Sequence, residues 1–242
     1  GTEKGQPLRC IEFINGGIKV TPVDSIDDRG DINLDGLAYT IADAVIFTNY
    51  FIKGLIAFTQ SIPGQIAATD INADGITLSV ADLVYLIRII TGDEMPFPPD
   101  AGNPKVSPYA GQADAIVKVS NGNVSVTTNS AVDLGGALFV FRYSGMGVGE
   151  AVASDAAANM VVKSRSARGE LRVLVAPHMD GQGTVEAGTH EVVTIPTSGA
   201  GTIDLVEVQL ADAHGAMLTS NMAKISPPKS YALLQNYPNP FN

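Results

Sequence analysis

The chain contains two copies of one short acidic pattern, Asp31-Ile-Asn-Leu-Asp-Gly36 and Asp70-Ile-Asn-Ala-Asp-Gly75. Each places oxygen-bearing side chains at its first, third and fifth positions and a glycine at the sixth, where a loop turns sharply around a hard cation. A mostly apolar stretch follows each, and Ala42-Asp43 and Ala81-Asp82 then open an apolar run. The repetition predicts two calcium-binding loops, each followed by a helix.

An alternative explanation needs no cation, because Asp, Asn and Gly also favour turns through local hydrogen bonds. Two copies followed by matching helical patterns favour the cation sites over that alternative. The helical spacing is clearest at Leu83, Leu86, Ile87 and Ile90. Gly54 and Gly92 stand where the two helices are expected to end. Because neither helix can bury its apolar face alone, the two are expected to pack against each other.

The duplicated pattern resembles the dockerin family over roughly residues 27–93. That family has paired calcium loops, each followed by a helix, and binds cohesin domains on other extracellular proteins. The resemblance implies ligands at Asp31, Asn33, Asp35, the Leu37 carbonyl and Asp43 in the first loop. In the second loop it implies Asp70, Asn72, Asp74, the Ile76 carbonyl and Asp82. The family's closing Asp stands at the twelfth position, whereas Ala42 and Ala81 occupy it here and Asp43 and Asp82 follow one residue later. A one-residue bulge in both copies would restore the geometry.

The composition fits an extracellular chain of two domains. With 242 residues, 45% hydrophobic, the chain can bury substantial cores. A net charge of -10 argues against nucleic-acid or anionic-membrane partners and favours cation binding. Cys10 is the single cysteine, so no disulfide can form within the chain. No apolar stretch is long enough to span a bilayer, and the N-terminus is not a signal peptide.

The predicted fold is multidomain α+β, a small helical dockerin-like module plus an all-β Ig-like or cohesin-like sandwich. We predict an N-terminal hairpin segment over 1–26, the calcium module over 27–95 and a Pro-rich linker over 96–104. The sandwich follows over 105–225 and an extended tail over 226–242. Eight short strands are expected in the sandwich, at 116–120, 124–128, 137–143, 160–163, 171–176, 191–195, 203–210 and 216–220. The segment Asp133 to Tyr143 resembles an early cohesin strand, although other Ig-like sandwiches stay open as alternatives.

The C-terminus, Leu233-Leu-Gln-Asn-Tyr-Pro-Asn-Pro-Phe-Asn242, resembles the opening of the C-terminal sorting domain of the type IX secretion system. That resemblance implies export across the outer membrane to the cell surface or medium. A proline-rich exposed tail is the simpler alternative.

Catalytic patterns are hard to find. His178, His190 and His214 have no spacing that places two ligands on one helix face, and the Gly-rich string from Ser144 to Gly149 opens no helix. We therefore expect a non-catalytic structural protein that assembles with copies of itself, or with a cohesin-type partner, into a fibre or surface assembly. A monomeric tethering module for a partner or polysaccharide is the alternative. A fragment of a secreted hydrolase ranks third.

Overall fold

The computed structural model describes residues 11–14, 17–20, 29–97, 109–120 and 122–225. Strands β1 (Ile11–Ile14) and β2 (Gly17–Val20) form an antiparallel hairpin in which Ile14 lies opposite Gly17. Cys10, most of the Pro-rich linker and the whole C-terminal tail lie outside the described residues. Two larger parts remain, a helical module and a β-sandwich.

The helical module contains α1 (Ile41–Lys53), a 3-10 turn (Gly54–Ala57), α2 (Ile62–Ala67) and α3 (Val80–Thr91). Thr40 and Ser79 cap the helices that follow the two acidic loops, each in a reciprocal capping box. Gly54 and Gly92 end those helices, as the sequence predicts. Helix α2 was not predicted from the sequence.

The β-sandwich prediction is confirmed, and all eight expected strands are found, mostly longer than predicted. They are β3 (Tyr109–Ser120), β4 (Asn123–Ser130), β5 (Leu134–Ser144), β8 (Val161–Ala167), β9 (Glu170–Ala176), β10 (Gly188–Ser198), β11 (Thr202–Asp212) and β12 (Met217–Ile225). Two very short strands were not predicted, β6 (Gly147–Val148) and β7 (Val152–Ala153), and both pair with β10.

The strands run in the order β6-β10-β4-β3-β12-β11-β5-β9-β8, and β12 joins the two layers. It pairs in parallel with β3 along its length but with β11 only at Met217 and Leu218. The sheet therefore folds over at β12, so β10-β4-β3 faces β11-β5-β9-β8. Val126, Val193, Phe139, Phe141 and Val173 are among the buried residues of the core between them.

The helical module covers the outer face of the second layer. Phe47 and Phe51 from α1 and Leu83 and Leu86 from α3 share one buried cluster with Leu138, Val140 and Leu174 of the sheet. Strand β5 is consequently buried on both faces from Leu134 to Phe141. The helices and the sandwich therefore share a continuous apolar core.

Candidate calcium loops and their contact with the sheet

The two acidic loops have the same backbone conformation. In the first, left-handed φ angles occur at Leu34, Gly36 and Tyr39, and in the second at Ala73, Gly75 and Leu78. These are the fourth, sixth and ninth positions of each loop. Only the middle one is glycine, so each copy holds two other residues in a conformation that costs roughly 1–3 kcal/mol per residue. The duplication in sequence is thus also a duplication of shape.

The first loop folds its acidic side chains back onto its own backbone. Asp31 accepts hydrogen bonds from the Asp35 N–H at 3.0 Å and from the Gly36 N–H at 2.8 Å. Asn33 donates through Nδ2 to Asp35 Oδ2 at 2.9 Å, and Asp35 Oδ1 accepts from the Leu37 N–H at 2.8 Å. The side chains at positions one, three and five are therefore gathered on the inside of one turn.

Helix α2 and Gln60, which precedes it, hold the first loop in place through hydrogen bonds. The buried Gln65 donates through Nε2 to the Ile32 carbonyl at 2.7 Å, while its Oε1 accepts from the Gln60 N–H at 2.9 Å. Gln60 Nε2 in turn donates to the Asn33 carbonyl at 2.8 Å. The outer rim of the loop, from Asp35 to residue 38, is exposed.

The second loop repeats this pattern and adds a contact with the sandwich. Asp70 Oδ1 accepts from the Gly75 N–H at 3.2 Å, and Asp74 Oδ1 accepts from the Ile76 N–H at 2.7 Å. Asn72 Nδ2 donates both to Asp74 Oδ2 at 3.0 Å and to the Gly215 carbonyl at 2.9 Å. Gly215 lies in the turn between β11 and β12, so the sandwich fixes this loop directly.

Asp43 and Asp82, the expected closing ligands, are fully buried at the starts of α1 and α3. Asp43 accepts from the Asn33 N–H at 3.0 Å and from the Thr40 hydroxyl at 2.7 Å. Asp82 accepts from the Ile71 N–H at 2.9 Å and from the Ser79 hydroxyl at 2.6 Å. Each carboxylate thus links its loop to the helix cap, and both of its oxygens accept hydrogen bonds.

The carboxylates of the second loop influence one another. Burial raises the pKa of Asp82 well above its ordinary value, although the Ser79 hydrogen bond opposes this, and the charges of Asp74 and Asp70 raise it further. Burial also raises the pKa of Asp74, against hydrogen bonds from Ile76 and Asn72, and the charge of Asp70 adds to the rise. A bound cation would oppose both rises in pKa, because a nearby positive charge favours the ionised carboxylates.

The donor set of each loop fits a hard cation: two carboxylates and an amide oxygen gather inside a preformed turn. Leu37 and Ile76 occupy the same position in the two loops, where their carbonyls could complete the set. In the part of the chain that the structure describes, no three His, Cys, Asp or Glu side chains form a metal-ligating group. Calcium binding at the ten named residues stays a prediction.

The contact between α3 and the sheet depends on two glycines in β5. Val80 and Val84 are buried against Gly135 and Gly136, and a Cβ atom added at Gly136 would lie 2.9 Å from Val84 Cγ2. Only glycine allows the helix to approach the strand this closely.

Polar contacts surround this apolar contact. Gln209 Oε1 accepts from the Val80 N–H at 3.1 Å, and Arg88 Nη1 donates to the Ala213 carbonyl at 2.8 Å. On the side of α1, Arg172 Nε donates to the Phe51 carbonyl at 2.6 Å. The roles of these residues were not predicted from the sequence. Paired glycines opening an apolar strand were one available signal, because they indicate close approach by another element.

No protein-family model matches the chain, and no curated protein matches it. Among solved structures, it is similar to a non-cellulosomal cohesin from Archaeoglobus fulgidus, with a TM-score of 0.40 and 13% identity over 48% of this chain and 89% of that one. It is also similar to the seventh ScaB type I cohesin from Pseudobacteroides cellulosolvens, with a TM-score of 0.40 and 10% identity over 52% and 99%. A cohesin–dockerin complex from Clostridium thermocellum gives a TM-score of 0.39 and 17% identity over 48% and 99%. At these values the likeness assigns no family.

None of the helices in the described part of the chain is both long and apolar enough to cross a membrane.

Proposed function

We propose that this chain is a non-catalytic structural protein of the cell surface or extracellular space. Its calcium-stabilised, dockerin-like module is docked on its own cohesin-like sandwich, and the combined unit assembles into a fibre or surface assembly. The tail motif that resembles a type IX sorting signal supports export across the outer membrane.

One observation carries this proposal: an apolar face of the helical module and the outer face of the sandwich are buried against each other within the chain. Val80, Val84 and Leu86 of α3 lie in one cluster with Leu138 and Val140 of β5. A module whose apolar face is already covered has no need of a separate cohesin-type partner for its own stability. Such a chain acts as one rigid building block.

Assembly of copies is supported by the N-terminal hairpin and by the sheet edge at β8. The hairpin forms a separate two-stranded sheet in the described structure, and an isolated hairpin is marginally stable in water. Strand β8 ends the larger sheet, so one side of its backbone can accept an added strand. We propose that the hairpin of one copy adds to the sheet of the next, which is a head-to-tail contact that generates an open fibre when no ring closes.

Electron microscopy and sedimentation of the purified chain, with calcium and with a chelator, test this proposal. We expect polymers from the single component in calcium. Deleting residues 1–23 should abolish the polymers, while circular dichroism shows that the sandwich remains folded. A monomer at high concentration in calcium would contradict self-assembly and leave the tethering module as the better proposal.

A further inference from the structure

A basic cavity lies on the outer face of the sandwich, beside the C-terminal end of α1. It has a volume of about 420 Å³ and is lined by four cationic side chains and one carboxylate, namely Lys53, Arg165, Arg168, Arg172 and Glu170. Ile52 and Ile56 form its apolar wall. In a chain of net charge -10, this concentration of positive charge requires an explanation.

Two of the cations are placed where they repel each other. Arg165 on β8 and Arg172 on β9 are directly opposite in the antiparallel pairing, and like charges in that position are destabilising. Glu170 Oε1 lies 3.5 Å from Arg172 Nη1, so Glu170 is the carboxylate paired with one of these four cations. Among the described residues, no carboxylate lies within ion-pair distance of Lys53, Arg165 or Arg168. An anion between these side chains would relieve the repulsion.

The turn between β8 and β9 gives an independent indication. It has two residues, Arg168 and Gly169, with φ angles of 53° and 79°, as in a type I′ hairpin. The first position of that turn favours Asn, Asp or Gly because its φ angle is positive. An arginine at this position is unfavourable for the backbone. We therefore attribute the presence of arginine here to its positive charge.

We propose that the basic cavity binds an acidic segment of a protein, with side-chain carboxylates paired to Arg165, Arg168 and Lys53. Guanidinium groups bind carboxylates through paired hydrogen bonds, and the volume suits a few side chains. Ile56, whose surface is 78% exposed, offers apolar contact beside the charges. No aromatic side chain is among the described residues that line the cavity, so a stacking surface for sugar rings is missing and an acidic peptide fits better than an acidic polysaccharide.

The test uses the full chain and a fluorescent hexaglutamate peptide, with binding followed by anisotropy at low salt. The double variant Arg165→Gln with Arg168→Asn should weaken binding by about tenfold, because two charge-assisted contacts are lost. Lys118→Gln removes one exposed charge from the other sheet layer and should leave binding unchanged. Raising the salt to about 0.5 M should weaken binding to the unaltered chain.

Arg168→Asn alone separates a binding role from a structural one. Asparagine suits the first position of a type I′ turn, so the melting temperature should stay the same or rise while the affinity falls. No binding of hexaglutamate, or equal binding by the double variant, would overturn the proposal. Tighter binding of polygalacturonate than of hexaglutamate, lost in the same variants, would overturn the choice of a protein ligand.

Discussion

The two halves of the helical module begin from nearly the same sequence and end in different surroundings. Both loops have the same left-handed positions, and both helices begin with the same capping box. Yet Val80 and Val84 of α3 are 0% and 1% exposed, whereas Ile41 and Val45, at the matching positions of α1, are 58% and 46% exposed. Local sequence therefore sets the shape of each unit, and the neighbouring sheet decides how much of each helix is buried.

The largest expected effect comes from placing a charge at a position that is buried in α3 and exposed in α1. Val84→Asp should lower the free energy of unfolding by about 3–5 kcal/mol, because an unpaired carboxylate would be buried against β5. Val45→Asp makes the same change at the matching exposed position and should stay within about 0.5 kcal/mol. Chemical denaturation of both variants measures the difference. Equal losses would show that α3 does not depend on the sheet in solution.

Loss of one bound calcium ion should have the next largest effect. A cation that binds only the folded state adds roughly 2.7 kcal/mol at one hundred times its dissociation constant. Asp70→Ala with Asp74→Ala should lower the melting temperature more than Asp31→Ala with Asp35→Ala, because the second loop also contacts the sandwich.

Calorimetry supplies the site count for the same comparison. We expect two calcium sites in the unaltered chain and one in each double variant, with a chelated sample as the control. If thermal melting is the same with and without chelator, both loops are ordinary turns.

Much of this fold could be predicted from local patterns. The helical apolar spacing and the stop glycines located α1 and α3, and the turn-separated apolar runs located the eight main strands of the sandwich. Helix α2 was not predicted, because Ile62–Ala67 is too short to show a helical period and contains Pro63 and Gly64.

The docking of the module on its own sandwich depends on contacts between residues far apart in sequence, which no local pattern encodes. One clue was present in β5, where Ala137 to Phe141 contains no polar residue. A strand with one wet face alternates apolar and polar residues, so an unbroken apolar run indicates cover on both faces. The partner residues, such as Gly215 and Gln209, could be recognised only once the chain was folded.

A smaller effect is expected at the turn that contacts the second loop. Gly215 has a φ angle of 82°, and an added Cβ atom would lie 2.8 Å from Tyr85 Cβ and 3.0 Å from the Ala81 carbonyl. Gly215→Ala should therefore cost about 2 kcal/mol through left-handed backbone strain and crowding against α3. Gly199→Ala, at a left-handed turn between β10 and β11 with a nearest neighbour at 3.8 Å, is the matched control for strain without crowding. Equal destabilisation of the two variants would mean that α3 shifts enough to accommodate the added methyl group.

The smallest effect comes from exchanging one atom in each loop. Asn72→Asp keeps an oxygen for the cation but removes the Nδ2 group that donates to the Gly215 carbonyl. Asn33→Asp makes the same exchange in the first loop, where, among the described residues, Nδ2 donates only to Asp35 within the loop. Both variants lose that internal hydrogen bond and gain a carboxylate, so these changes cancel in the comparison.

In saturating calcium, the Asn72 variant should be less stable than the Asn33 variant by about 1 kcal/mol, the net value of one hydrogen bond. Urea unfolding of the two proteins measures this difference. Equal stability, with calcium bound in both, would show that the Asn72 contact does not help to hold the module on the sheet.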